Sequence, residues 1–175
     1  MKKFLQNLAL VAMMILPLVM NAQVTTFPYS SDFEDDLEND EWTLVNGSQT
    51  NQWVIGTAAN NGGTKGLYVS NDNGTTNAYT VTSTTNAYAY RTLTLSAGSV
   101  YSLSFDWRCN GESGYDLMRV CLVPASTTLS TSTSYSSSNI AGDVLNAAVF
   151  GQSTSWNTYS NANITVSTDG DYNLV

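Results

Sequence analysis

Between residues 100 and 107 the chain alternates: Leu103, Phe105 and Trp107 fall on one side of an extended backbone, and Ser102, Ser104 and Asp106 on the other. Successive side chains of a strand point to opposite faces, so this segment predicts a strand with one face in a core and one in water. Shorter runs of β-branched and aromatic residues recur on both sides of it, fenced by Gly, Asn, Asp and Ser. They predict strands at 43–45, 52–56, 67–70, 87–95, 100–108, 115–123, 156–158, 162–167 and 172–175. The segment from Leu117 to Val123 is apolar on both faces apart from Arg119, which suits a strand covered on both sides, and Pro124 ends it. No long stretch carries a helical period. The pattern predicts an all-β fold, a two-sheet antiparallel β-sandwich of the jelly-roll kind.

Turn chemistry supports this reading. Asn46-Gly47, Asn61-Gly62, Asn73-Gly74, Asn110-Gly111 and Asp169-Gly170 supply residues that tolerate a positive φ. Residues 126–139 are a Ser/Thr-rich tract expected to form a long exposed loop. An apolar patch at 144–150 reads as a strand or as one helical turn. Asp169-Gly170-Asp171 resembles a hairpin turn, yet the returning strand stops at Val175 in mid-alternation. The domain is therefore expected to lack its last strand or strands, leaving an open edge.

The N-terminus reads differently. Lys2 and Lys3 precede an apolar run from about Leu8 to Met20, interrupted by Pro17, and the small Ala22 marks a cleavage point before Gln23. This is the pattern of a secretory signal peptide at 1–22, too short for a spanning helix. Residues 23–175 form one domain, expected to be secreted or displayed on the cell surface, with no membrane insertion after cleavage. Loss of the two leader lysines takes the formal charge from −8 to −10. An acidic chain of this kind repels nucleic-acid backbones, so nucleic acid is not an expected partner. Histidine is absent, which removes Ser-His-Asp and Cys-His catalysis and His-ligated zinc.

The remaining chemistry rests on carboxylates, thiols and aromatic rings. Asp32, Glu34, Asp35, Asp36, Glu38, Asp40 and Glu41 crowd one segment, and no base lies between Lys3 and Lys65. Such a run is either solvated or gathered around a hard cation such as calcium. In Asp32-Phe33-Glu34, Phe33 can anchor in the core while its neighbours face an outer site. Asn71-Asp72-Asn73-Gly74 reads as a hairpin turn that also carries oxygen ligands. Glu112 and Asp116 form a carboxylate pair, but it spans a glycine turn rather than one strand face and so lacks a fixed separation for glycoside hydrolysis.

Cys109 and Cys121 invite a disulfide in an exported protein. If the strands turn near 110–113, Cys121 lies opposite Ser102, on the order of 20 Å from Cys109 at strand rise. Bridged Cα atoms must approach within about 7 Å. Cys121 is expected to be a buried, free thiol. Tyr88 and Tyr90 place two rings on one strand face and are the best candidates for stacking on a ligand such as a sugar.

Several motifs carry a family resemblance. Phe27-Pro-Tyr-Ser-Ser-Asp-Phe-Glu with Trp42, then Trp53-Val-Ile-Gly, Gly66-Leu-Tyr-Val-Ser-Asn-Asp72, Leu103-Ser-Phe-Asp-Trp107 and Gly111-Glu-Ser-Gly-Tyr-Asp-Leu-Met-Arg-Val120 occur in this order. Together they resemble the MAM-like jelly rolls of bacterial surface proteins, including the cleaved-adhesin modules of gingipain-type proteases and choice-of-anchor modules. The match covers most of residues 27–124 and fades afterwards. It implies a non-catalytic module, not an enzyme, that recognises an extracellular protein or glycan. The alternative is a carbohydrate-binding module accessory to a secreted glycosidase or protease. The resemblance also implies a structural calcium ion held by Asp32 and Glu34 with an acidic motif of a final strand, and this sequence stops before such a strand.

Overall fold

The computed structural model describes residues 22–146 and 150–175. The expected leader, apart from Ala22, and the middle of the 144–150 patch lie outside the described residues. Strands dominate: β1 (Thr43–Val45), β2 (Gln52–Gly56), β3 (Gly66–Ser70), β4 (Tyr88–Leu95), β5 (Tyr101–Cys109), β6 (Cys121–Pro124), β7 (Asp143–Val144), β8 (Ser153–Ile164) and β9 (Gly170–Leu174), with one helical turn, α1 (Asp36–Asn39). All strand ladders are antiparallel. They form a five-stranded sheet in the order β1-β4-β9-β6-β7 and two two-stranded sheets, β2-β3 and β5-β8.

Alternation predicts β5 well: Leu103, Phe105 and Trp107 are half-buried, and Ser102, Ser104 and Asp106 are exposed. Its partner is β8, with Phe105 opposite Tyr159 and Trp107 opposite Asn157. Leu93 and Leu95 of β4, Leu122 of β6, Ile164 of β8 and Val24 form a buried cluster, joined by Tyr101 and Leu103 of β5. The core therefore lies where the five-stranded sheet meets the β5-β8 ladder. A second packing centre gathers Phe150 against Phe105, Trp107 and Tyr159, with ring centroids 5.7, 4.6 and 5.3 Å away. Edge-to-face and tilted contacts of this kind add to the burial of each ring.

Several sequence expectations need correction. β5 does not turn back onto the next strand: residues 112–116 form a tight turn, Asp116 N–H donating to the Glu112 carbonyl at 3.0 Å. Only Cys121–Pro124 of the expected 115–123 strand is regular. Cys121 consequently lies beside Val144 and Val175 rather than opposite Ser102. Both cysteines are free, and burial pushes the Cys121 thiol up. The covered position expected for this strand is observed, with Val123 at 0 % exposure.

Asp169-Gly170-Asp171 is not a hairpin turn. Gly170 and Asp171 already belong to β9, which the chain enters from β8 of another sheet. β9 is an interior strand paired on both sides, with β4 and with β6, so it presents no open edge. The two short strands expected at 156–158 and 162–167 merge into β8. Asn71-Asp72-Asn73-Gly74 lies in the β3 to β4 connection, outside any hairpin. There Asn73 and Gly74 take positive φ of 59° and 85°, and Asp72 accepts from Ser70 Oγ at 2.7 Å and Thr76 N–H at 2.9 Å.

Candidate functional site

The acidic segment folds into α1 and its flanks, and its carboxylates are shared out among different partners. Asp35 caps the helix by accepting from Leu37 N–H at 2.9 Å. Acids in a first helical turn are favoured by the partial positive charge there. Glu38 accepts from Tyr29 Oη, from Ser31 Oγ at 2.5 Å and from Arg91 Nε at 3.3 Å. Asp36 pairs with Lys65, which holds the Asp36 carboxyl below its ordinary value and the Lys65 ammonium above its own.

Phe33 is half-buried against Trp42, with ring centroids 5.5 Å apart, while Asp32 and Glu34 are exposed, as the alternation predicts. Asp32 accepts from Glu34 N–H at 3.0 Å. Glu34 Oε1 accepts from Thr64 N–H at 2.6 Å and Lys65 N–H at 2.8 Å, and Oε2 accepts from the Thr64 hydroxyl. These bonds pull the Glu34 carboxyl below its ordinary value, the Thr64 hydroxyl contributing most. Among the described residues no three His, Cys, Asp or Glu side chains converge as a cation-holding group. Glu34 is engaged with loop donors, and Asp32 with the Glu34 amide, so these two carboxylates serve the local fold and do not by themselves make a calcium cage.

Glu34 thus acts as a clamp on the β2 to β3 loop. A depressed carboxylate contributes while ionised, above its unfolded value, and the contribution is lost as pH falls through the lower folded value. Hydrogen-exchange protection of the Thr64 and Lys65 amides is therefore expected to be full at neutral pH and to fade on acidification below about the ordinary glutamate value. In Glu34→Ala it should be lost at every pH while core amides stay protected. Unchanged protection in that variant would refute the clamp.

Beside α1 lies a groove of about 390 Å³ lined by Asp36, Asn39, Asp40, Trp42, Leu44, Ile55 and Lys65. Its floor and walls mix an indole ring and aliphatic side chains with an ion pair and an amide. Two atoms of these residues, the Trp42 indole N–H and Asn39 Oδ1, are buried without a hydrogen-bond partner among the described residues. The other end of the Asn39 amide donates to the Phe33 carbonyl at 2.8 Å, which fixes the side chain. Sequence reasoning missed this groove. The signal that points to it is the lone base Lys65 following a run of acids, with Trp42 immediately after them.

Tyr88 and Tyr90 share one face of β4, as expected. That face is covered at Tyr88: the Tyr88 ring packs on Tyr135, 5.5 Å away, and its hydroxyl donates to the Thr133 carbonyl. Burial raises the Tyr88 hydroxyl above its ordinary value. The Ser/Thr tract, expected as a long exposed loop, has no regular element but lies over this part of the sheet, and Asn86 donates to the Thr131 carbonyl at 3.5 Å. Tyr90 is half-buried opposite Thr43.

Asp116 accepts from the Tyr79 hydroxyl and from Glu112 N–H, and Glu112 is exposed. Tyr79 is pushed up to about 12, first by burial and then by that bond. Asp116 therefore ties together two loops, and the pair is not two facing carboxyl groups across a cleft. The same loop leaves Tyr115 78 % exposed. Comparison of the chain with protein-family models, curated proteins and solved structures gives no significant match.

Proposed function

We propose that this chain is a non-catalytic recognition module of an exported bacterial protein, acting in the secreted form or at the cell surface. The reading joins the export pattern of the N-terminus to the motif order resembling MAM-like adhesion modules. The observation that carries it is the α1 groove, a mixed apolar and hydrogen-bonding surface built from residues 36–44, 55 and 65. Asp36 and Lys65 are engaged with each other, and nearby Glu34 with loop amides, as befits holding a shape. Ligand sites generally combine apolar walls with a few placed polar groups in this way. A carbohydrate-binding role accessory to a secreted hydrolase is the second reading, favoured by the indole wall of the groove. Calcium takes no step in either.

The test is a panel of immobilised extracellular proteins and polysaccharides presented to the exported, processed chain. Saturable retention on at least one surface, without turnover of any, is the expected result. Hydrolysis that disappears in Glu112→Gln, or no retention on any member, would overturn the reading.

A further inference from the structure

We infer that the α1 groove takes a neutral, hydroxyl-rich ligand, a saccharide ring laid against Trp42. The inference rests on the recognition reading and names the ligand class of that same groove. An unpaired buried donor or acceptor costs about 1–3 kcal/mol. Here the chain retains one of each, the Trp42 indole N–H and Asn39 Oδ1, in residues that line one groove. A partner that satisfies both must accept one hydrogen bond and donate another. A hydroxyl does both, and the vicinal hydroxyls of a sugar do so a few ångströms apart.

Charged and purely aliphatic ligands fail on one count or another. An ammonium group has no lone pair for the indole N–H. A carboxylate or phosphate has no proton for Asn39, and it would meet Asp36 and Asp40, while Lys65 is already paired with Asp36. An aliphatic side chain leaves both groups unpaired. The rest of the lining suits a pyranose: the Trp42 ring with Leu44 and Ile55 offers surface to its C–H face, and Asp40 accepts from an outward hydroxyl. A volume of about 390 Å³ lies within the ~300–1,000 Å³ of small-molecule sites. Both orphan atoms are shielded from solvent, so ligand entry requires a small shift of the Trp42 ring or of α1, whose four residues bury no side chain fully.

The experiment titrates the exported, processed chain with neutral oligosaccharides of glucose, mannose, galactose and N-acetylglucosamine, with a uronate and a diamine as charged controls. Calorimetry reads affinity, and the ¹H-¹⁵N resonance of the Trp42 indole, assigned in the unaltered chain by through-bond correlation to its backbone, reads the site. At least one neutral saccharide should bind and shift that resonance. Trp42→Phe, which keeps a ring and loses the N–H, should weaken binding about tenfold, Trp42→Ala should abolish it, and Tyr88→Phe should leave it unchanged. Should Trp42→Phe fail to fold, the indole shift in the unaltered chain decides alone.

Binding confined to charged ligands, or saccharide binding that leaves the Trp42 resonance in place, overturns the inference. Retention on protein surfaces with silence toward all saccharides overturns it while the recognition reading stands. Silence on every surface removes both.

Discussion

Arg91→Ala is expected to destabilise the protein by about 3–5 kcal/mol, the range seen when one partner of a buried ion pair is removed. Arg91 lies on the same face of β4 as Ala89, Leu93 and Leu95, a row otherwise apolar, and is 5 % exposed. Its guanidinium is held from several directions: Glu38 at 3.3 Å, the Glu41 carbonyl at 3.4 Å, and the Tyr29 ring at 5.8 Å. Alanine leaves Glu38 among Tyr29 and Ser31 with no counter-charge. Against a total stability of ~5–15 kcal/mol for ordinary domains, this loss brings the chain close to unfolding.

Arg91→Lys should fall between the two, because an ammonium keeps the charge but cannot span these acceptors as a planar fork. Arg91→Met combined with Glu38→Gln should recover much of the loss, since removing both charges strands neither. Urea denaturation of the four chains gives the ranking. An Arg91→Ala midpoint within error of the parent would show that the pair is dispensable.

Leu95→Ala is the second large effect, at about 2–5 kcal/mol. Leu95 is 2 % exposed, ends the apolar row of β4 and belongs to the cluster with Leu93, Leu122, Ile164 and Val24. The cost has two parts, lost transfer of the deleted carbons and the cavity left where the two layers meet. Leu37→Ala is the control: the same deletion on α1 at 79 % exposure should move the midpoint very little. Equal effects at the two sites would contradict the placement of the core. The comparison by guanidinium or urea melts needs no ligand.

The parts of the fold legible in the sequence are those set by local chemistry. The boundaries of β1 and β2 are read correctly because Asn-Gly and polar clusters fence them, and β5 is read because its two faces meet different media. Pairing is not local. Placing Cys121 opposite Ser102 assumed that neighbours in sequence are neighbours in a sheet, whereas β5 bonds to β8, more than forty residues away. β8 itself is concealed by its composition: Ser, Thr and Asn occupy both faces, so no period marks it as one strand.

The site divides in the same manner. Acid crowding around Asp32 and Glu34 draws attention to the segment that forms α1, and the alternation of exposure around Phe33 is observed. The groove nearby is invisible because its lining comes from α1, β1, β2 and the loop before β3, which meet only once the sheets form. The four-residue α1 is too short to display a helical period. Tyr88 looks available in one dimension because the tract that covers it is some forty-five residues downstream.

The position of β9 bears on how the molecule matures. β4 and β6 reach each other only through residues 170–174, so the largest sheet stays in two halves while a growing chain is shorter than that. Any product broken off before Gly170 would carry two raw inner borders, bait for coaggregation or for quality-control proteases.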